Sequence, residues 1–414
     1  MNTIPSVSCC VAAAACLLTF ATPLAAQEQS RQAAKPAGDL LTFVVEHDSD
    51  GNGTVDHVST TTNSYDRQGN LVTTVHADDY RVDGIFEYLG TTTNTYDRQR
   101  NLLKTVFERD GNADGKPDAG YTTTNTYDRH GNLLTTVYEG DGDGDGTVDD
   151  VYTLTNNYDR NGHLLQTVYE SDWDGPPTAY YRQVTTNSYD SQGRLLTRLI
   201  KWDVNGGEGN TEYRNALTNT YDRRGNLLTQ AAAGDFEDGD GGWYPDASKT
   251  ANTFDQQGRL VKTVFEWDWR FDGTLDEVGT TTLTYDQRGD LLNTIYELDR
   301  GGDGSIDEVG TTANRYDGQG NLLNTTYNLD QNADGTAEHR RTTANTYNQR
   351  RQLLKQVVEE DLGADGVADF RNITTNTYDA HSNLVGQLIK TDSNGDGTLE
   401  SVVTITTTYR VAGH

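Results

Sequence analysis

The sequence predicts an all-β tandem-repeat fold, and two observations support this prediction. A motif of the form NTYDRQ-NL recurs along nearly the whole chain, with a spacing of 31 residues that slips to 31–33 only between Tyr189 and Tyr285. The segments on either side of the motif are rich in threonine, β-branched and aromatic residues, which favour strands. About twelve units account for Leu40 to His414, with their tyrosines at Tyr65, Tyr96, Tyr127, Tyr158, Tyr189, Tyr221, Tyr285, Tyr316, Tyr347, Tyr378 and Tyr409, and Phe254 in place of one.

Each unit is predicted to form a tight antiparallel β-hairpin. The segments Thr122–Tyr127 (TTTNTY) and Leu133–Glu139 (LLTTVYE) are the two strands of one unit. The residues DRHG between them carry Asp first and Gly fourth, as a type I turn prefers, with Gly131 in the left-handed conformation. Arg100, Arg351 and Ser382 replace this glycine in three other units, where a strained or different turn is expected.

Strict alternation predicts that both faces of the sheet are half apolar. It places Tyr127, Leu133 and Val137 on one face and Leu134 and Tyr138 on the other. A sheet with two partly apolar faces should curl or pack against later repeats, so we expect antiparallel β-hairpins in an elongated twisted sheet. The alternative is a closed β-propeller of six four-stranded blades, because the chain starts with a second-type strand (LLTFVVE) and ends with a first-type strand (VVTITTTY) that could pair.

Composition divides the chain into an export signal, a linker and the repeat array. Residues 1–26 contain a short apolar run, Val11 to Phe20, followed by small residues, which is typical of a cleaved signal peptide. Residues 27–39 form a polar linker and residues 40–414 form the array. All three cysteines lie in the signal, so no disulfide is expected in the mature chain.

Acidic loops join successive hairpins and predict calcium binding. In five units they follow the pattern D-x-[DN]-x-[DN]-G-x-x-[DE], in which side chains 1, 3, 5 and 9 and the carbonyl at 7 supply oxygen ligands. Five such loops at the same repeat position indicate several structural Ca²⁺ ions as the cofactor. The predicted side-chain ligands are Asp48, Asp50, Asn52, Asp56; Asp110, Asn112, Asp114, Asp118; Asp141, Asp143, Asp145, Asp149; Asp330, Asn332, Asp334, Glu338; and Asp392, Asn394, Asp396, Glu400.

The remaining seven loops depart from this pattern. Arg81 and Arg270 occupy the third position in two loops, where a guanidinium could satisfy the carboxylates instead of an ion. Gly301 and Gly363 remove that ligand in two more. The loops that begin at Asp172, Asp203 and Asp235 are altered in sequence or length.

The motif YDxxGNL resembles the YD repeats of Rhs and teneurin-like shell proteins. The resemblance covers the turn and about ten flanking residues in nearly every unit. It implies successive hairpins in a large β-sheet and an extracellular setting. The acidic loops resemble the EF-hand-like calcium loops between strands of integrin-type propellers.

Charge and composition exclude several functional classes. The chain has a net charge of −30 and no cluster of basic residues that could bind phosphates, so nucleic acid is not expected as a partner. Strands dominated by Thr and Asn offer no continuous lipid-facing apolar band, so the chain is not expected to span a membrane. The eight histidines are scattered singly and no nucleophile motif is present, so an enzyme is not expected.

The predicted function is that of a secreted or cell-surface scaffold, spacer or adhesin that calcium stabilises, with the periplasm as an alternative location. Its partner is unknown and could be a glycan or another copy of the chain. The alternative is a glycan- or partner-binding module that uses a cluster of tryptophans in the irregular central units. These possible partner-binding residues are Trp173, Trp202, Trp243, Trp267 and Trp269.

Overall fold

The structure is a computed structural model that describes residues 38–172, 181–204, 211–237, 243–269 and 272–411. Within these residues, 24 strands form one antiparallel sheet in which each strand pairs with its neighbours in chain order. Within the same residues, no helix is long and apolar enough to cross a membrane. The strands are β1 (Gly38–Asp48), β2 (His57–Tyr65), β3 (Leu71–Asp79), β4 (Tyr88–Tyr96), β5 (Leu102–Asp110), β6 (Ala119–Tyr127), β7 (Leu133–Asp141), β8 (Asp150–Tyr158), β9 (Leu164–Asp172), β10 (Tyr181–Tyr189), β11 (Leu195–Val204), β12 (Thr211–Tyr221), β13 (Leu227–Glu237), β14 (Trp243–Phe254), β15 (Leu260–Asp268), β16 (Glu277–Tyr285), β17 (Leu291–Asp299), β18 (Glu308–Tyr316), β19 (Leu322–Asp330), β20 (His339–Tyr347), β21 (Leu353–Leu362), β22 (Phe370–Tyr378), β23 (Leu384–Asp392) and β24 (Ser401–Val411).

The sheet closes into a barrel. Strand β1 pairs with β2 on one side and with β24 on the other, from Gly38 opposite Val411 to Asp48 opposite Val402. The prediction of an elongated twisted sheet is therefore wrong. The propeller alternative is also wrong: the first and last strands do pair, but they complete one continuous wall instead of separate blades.

The stagger between strands tilts the wall and sets its width. Val44 pairs with Thr60, Thr60 with Ala77 and Ala77 with Leu89, so the paired position moves about one residue towards the acidic loops at each strand. Strands about 4.8 Å apart, tilted as barrel strands are, give a 24-stranded wall a backbone diameter of roughly 45 Å. Barrels with fewer strands already enclose aqueous channels, so this barrel has a wide lumen.

The tyrosine-bearing face of the sheet lines the lumen. In hairpin β6–β7 the Asp128 amide donates a hydrogen bond to the Asn132 carbonyl at the turn. Pairs along the ladder alternate between hydrogen-bonded and non-hydrogen-bonded, so Thr124 and Val137 form a hydrogen-bonded pair. With the stagger above and the right-handed coil of β-sheets, this pairing puts Thr124 and Val137 outside and Thr123 inside. Solvent exposure agrees, since Thr124 is exposed and Thr123 is half-buried.

A β-bulge in each complete hairpin shifts the side-chain pattern that alternation predicts. In β6–β7, Thr126 pairs with Thr135 and Tyr127 with Leu133, so Leu134 is the additional residue. Tyr127 therefore shares the lumen face with Tyr138, and the predicted grouping of Tyr127 with Val137 is wrong. A bulge of this kind inserts one residue and reverses the alternation beyond it.

Side chains join neighbouring hairpins where the backbone ladder stops. Between β5 and β6 the ladder ends at Lys104 and Thr124. Beyond it, the free carbonyl of Leu102 accepts hydrogen bonds from Asn125 Nδ2 at 3.0 Å and from Tyr127 OH at 3.0 Å. We call this arrangement the tyrosine clamp.

The tyrosine clamp recurs around the barrel. All eleven repeat tyrosines donate to a leucine carbonyl of the preceding hairpin, at 2.8 to 3.1 Å. Only Phe254 lacks the hydroxyl, and there Asn252 alone donates, to Leu227. The repeat therefore keeps its tyrosine because each one satisfies a carbonyl that the sheet leaves unpaired.

Hydrogen bonds, more than a hydrophobic core, hold this wall together. Among the described residues, the buried apolar side chains are Ala77, Leu283, Leu291 and Leu298. The largest fully buried side chain is the turn residue Asn321. A single-layer sheet with solvent on both faces has no room for a larger core.

The predicted hairpin turn is confirmed. Gly131 has φ of 85°, and its amide bonds the Asp128 carbonyl at 3.1 Å. Arg100, Arg351 and Ser382 adopt the same left-handed conformation, with φ of 70°, 65° and 73°. The turn therefore forms in these three units too, at the strain that a side chain in this region carries.

We predict that Tyr127→Phe destabilises the barrel by about 1 kcal/mol, because it removes one hydrogen bond to a carbonyl that nothing else in the ladder satisfies. The double change Asn125→Ala with Tyr127→Phe should cost more than the single change. Urea unfolding followed by circular dichroism measures the difference. Tyr138→Phe is the control, since its ring stacks on neighbours and its hydroxyl makes no hydrogen bond within the described residues. Equal effects of Tyr127→Phe and Tyr138→Phe would contradict a structural role for the clamp.

Candidate functional site

The acidic loops stand together on one rim of the barrel. Each follows an odd-numbered strand, whereas the YD turns follow the even-numbered strands at the opposite rim. The two chain ends of the described wall, Gly38 and Val411, also lie at the turn rim. The rim that carries the loops, here called the acidic rim, is therefore the negatively charged mouth of the lumen.

The first aspartate of each loop organises the backbone around it. Asp141 accepts hydrogen bonds from the amides of Gly144 at 2.7 Å and Gly146 at 2.9 Å. Asp149, at the ninth position, accepts from the Gly142 amide at 2.7 Å and closes the loop. The loop thus folds around its own carboxylates and brings those of Asp141, Asp143 and Asp149 close together.

Carboxylate oxygens converge in five of the described loops. In each one, three oxygens from different residues lie within 4.8 Å of one another. Four of these loops are among the five predicted, and the loop that begins at Asp110 is not among the convergent ones. The convergent groups are Asp48, Asp50, Asp56; Asp79, Asp83, Glu87; Asp141, Asp143, Asp149; Asp330, Asp334, Glu338; and Asp392, Asp396, Glu400.

The loop at Asp79 is the site that the motif missed. Its third position is Arg81, whose Nε lies 3.4 Å from Glu87 Oε1, as expected for a guanidinium that partners the carboxylates. Asp79, Asp83 and Glu87 nevertheless keep positions 1, 5 and 9 of the pattern. A search for those three positions alone would have found this loop. The predicted substitute Arg270 lies outside the described residues.

Local hydrogen bonds stabilise the ionised form of two loop carboxylates, those of Asp145 and Asp396. The side chain and amide of Thr147 donate to Asp145 and lower its pKa. Thr398 lowers the pKa of Asp396 in the same way. These groups are charged oxygen donors of the kind that Ca²⁺ prefers.

Neighbouring loops touch along the acidic rim. Gly51, Gly144, Gly302 and Gly395 hold the fourth position of their loops with positive φ, and each faces the carbonyl of the eighth residue of the preceding loop. A β-carbon on Gly144 would lie 2.7 Å from the Pro117 carbonyl oxygen. The contact of Gly51 with Leu399 crosses the seam between β24 and β1.

An aromatic row lines the lumen below the acidic rim. Tyr121 and Tyr138 stack at 5.2 Å, and Tyr138 and Tyr152 stack at 4.3 Å between ring centroids. Phe107 extends the row on one side and Tyr169 on the other. Burial raises the pKa of Tyr138 and Tyr152, so their hydroxyls stay neutral. The rings cover each other's faces, so the row presents mainly edges and hydroxyls to the lumen.

Among the described residues, the tryptophans do not form one binding platform. Trp202 lies in β11 on the lumen face, while Trp267 lies near the end of β15 and contacts Trp269 edge-on at 5.3 Å. Trp269 is 51% exposed. Trp173 and the side chain of Trp243 lie outside the described residues. The predicted module built on clustered central tryptophans is therefore wrong.

Comparisons with known proteins identify no family. No family model and no curated protein matches the chain. Among solved structures, a porin-like protein from Bacteroides uniformis is 14% identical over 63% of this chain and 96% of that chain, with a TM-score of 0.26. A TM-score this low does not establish a shared fold, so the barrel rests on the strand pairings, and the resemblance to YD repeats stays a prediction.

The closed barrel corrects the predicted function. The predicted scaffold, spacer or adhesin was expected to be an elongated array of repeats, whereas here the first and last strands pair and the repeats enclose a lumen. The expectation that nucleic acid is not a partner is consistent with this acidic barrel.

We predict that Gly144→Ala destabilises the acidic rim more than Gly146→Ala. Both glycines have positive φ, 71° and 86°, where an alanine costs about 1–2 kcal/mol. Only at Gly144 would the new methyl group meet the neighbouring loop, and such overpacking costs about 1–3 kcal/mol more. Thermal unfolding of the two variants measures the difference, and equal melting temperatures would show that the loops do not pack on each other.

Proposed function

We propose that the protein is an aqueous conduit of the cell envelope or cell surface: a closed tube whose lumen gives polar solutes a passage. The observation that carries this proposal is the pairing of β1 with β24, which turns the repeats into a continuous wall around a wide lumen. The predicted export signal supports a location outside the cytoplasm.

The composition of the outer face supports the proposal that water, not lipid, surrounds this wall. Lys104, Val106 and Glu108 follow one another on the outer face of β5, and the same Lys-Val-Glu order recurs on β15 and β21. Ion pairs cross this face, including Arg371 to Glu359 at 3.1 Å. The apolar band is thus about one residue high per strand, far less than the roughly 25 Å of a lipid-embedded barrel.

The lumen is polar over most of its height. Threonine and asparagine occupy its middle, as in Thr123 and Asn125 of β6, between the aromatic row and the tyrosine clamps. Hydroxyls and amides of this kind hydrate readily, so the lumen offers a path for polar solutes. The acidic rim would favour entry of cations and neutral solutes over anions.

Access to engineered cysteines tests the conduit. Thr123→Cys faces the lumen and Thr124→Cys, its neighbour, faces outwards. We expect a small maleimide to label both, and a maleimide carried on a protein wider than the lumen to label only Thr124→Cys. The cysteines of the predicted signal are changed to serine in both variants. Labelling of both positions by the bulky reagent would show an open sheet and overturn the proposal.

Incubation with lipid vesicles tests the setting of the tube. The polar outer face predicts that the folded protein stays in the aqueous fraction on flotation and leaves the vesicles impermeable. Flotation with the vesicles, together with single-channel conductance, would show that lipid surrounds the wall. That result would overturn the aqueous setting and leave the conduit itself supported.

We also propose that the convergent loops of the acidic rim bind Ca²⁺. The supporting observation is the approach of three carboxylate oxygens within 4.8 Å in each of five loops, because a bound cation would relieve their mutual repulsion. Bound ions would reduce the negative charge of the mouth and tie neighbouring loops through their contacts. Ligand stabilisation amounts to about 2.7 kcal/mol per site at one hundred times Kd.

Chelation tests this cation binding. We predict that removing Ca²⁺ lowers the melting temperature by more than about ten degrees, and that Mg²⁺ restores little of it because it demands tighter octahedral geometry. Calorimetry should find at least four sites, with one fewer in Asp143→Ala. Asp150→Ala is the control, because this exposed aspartate lies just beyond the loop. Identical melting with calcium and with chelator would contradict the proposal.

A further inference from the structure

A cluster of histidines around one aspartate interrupts the repeat on the lumen face of β2 and β3. Asp78 Oδ1 lies 3.2 Å from His57 Nε2, and Asp78 Oδ2 lies 3.3 Å from His76 Nε2. The cross-strand register brings these groups together, since Ser59 pairs with Asp78 and Thr61 with His76. Two imidazoles thus direct the same ring nitrogen at one carboxylate.

The surrounding side chains hold this cluster in place. Thr61 Oγ1 contacts His76 Nδ1 at 3.0 Å, and the Ser59 hydroxyl donates to Asp78. The ring of His57 stacks on Tyr80 at 4.7 Å. Asp78 is only 7% exposed. Its burial opposes ionisation, but the hydrogen bonds from Ser59 and His57 and the neighbouring imidazoles lower its pKa overall.

We propose that His57, His76 and Asp78 form a binding site for a divalent transition-metal ion such as Zn²⁺. Two imidazole nitrogens and one carboxylate are ligands that such ions favour, in contrast with the all-oxygen loops of the acidic rim. The ion would replace the contacts that the Nε2 atoms of both histidines make with Asp78, and each neutral ring would then carry its proton on Nδ1. The three ligand atoms do not yet lie within 4.8 Å of one another, so the two histidine side chains must rotate about the shared carboxylate before both nitrogens contact one ion.

The second ring nitrogen of His76 already has the partner that a metal-bound histidine needs. With Nε2 on the ion, Nδ1–H would donate to Thr61 Oγ1 and fix the tautomer and the ring orientation. The lumen still reaches the cluster, since the His76 side chain is 41% exposed. A metal ion therefore has a route in and a supported ligand set when it arrives.

Within the described part of the barrel, this site occurs once. The positions equivalent to His57, His76 and Asp78 in the next repeat are Tyr88, Phe107 and Arg109, which cannot form the same ligand set. The proposed zinc site uses nitrogen ligands, so its test is independent of calcium binding by the acidic rim and of solute passage.

Zinc calorimetry and Co²⁺ absorption on the full chain test the site, with excess Ca²⁺ present to occupy the oxygen-rich loops. The variants use residues that other repeats carry at the same positions: His57→Ala, His76→Phe and Asp78→Ser match Ala119, Phe107 and Ser171. The control His163→Asn removes another histidine that contacts an aspartate, at 2.9 Å in a YD turn. Any metal that the cysteines of residues 1–26 bind is the same in the parent chain, in the cluster variants and in the control.

We expect one Zn²⁺ per chain at this site and a Co²⁺ spectrum with nitrogen-ligand features. Each cluster variant should weaken Zn²⁺ binding at least tenfold and remove those features, while His163→Asn binds as the parent chain does. Unchanged affinity in the cluster variants, with folding verified by circular dichroism, would overturn the proposal. An equal loss in His163→Asn would overturn it too.

Discussion

One backbone carbonyl per hairpin determines how this barrel holds together. The bulge at the start of each second strand ends the ladder early and leaves the carbonyl of a leucine such as Leu102 without a backbone partner. Asn125 and Tyr127 of the next hairpin supply the missing donors. Because a buried polar group without a partner costs about 1–3 kcal/mol, the repeat keeps its asparagine and tyrosine, and neighbouring hairpins stay in register.

This register sets a stagger between neighbouring strands, and the stagger added up around the ring makes closure possible. Each strand steps about one residue towards the acidic rim, and after 24 strands the chain returns to pair β24 with β1. The wall is one sheet thick and has almost no apolar core, so its stability rests on hydrogen-bonded pairs, turns and clamps. The acidic loops share one rim because every odd-numbered strand ends there, and their contacts extend across the seam from Gly51 to Leu399.

Local features could be predicted from the sequence, and features that depend on register could not. The strands, the turn at Gly131 and the acidic loops follow from residue preferences over a few positions. Closure depends on a small stagger added up over the whole chain, which alternation does not show. The bulge at Leu134 separates Tyr127 from Val137, which were predicted to share a face. The cluster at Asp78 forms only because β2 and β3 pair in one register.

Closure is the central claim, and a disulfide across the seam tests it most directly. Thr42 and Thr408 are paired across β1 and β24, with their hydroxyl oxygens 2.5 Å apart. In a chain whose three native cysteines are changed to serine, Thr42→Cys with Thr408→Cys should form an intramolecular disulfide in nearly every folded monomer under mild oxidation. A folded monomer in which both thiols stay free, or which forms only disulfide-linked dimers, would show that the first and last strands do not meet.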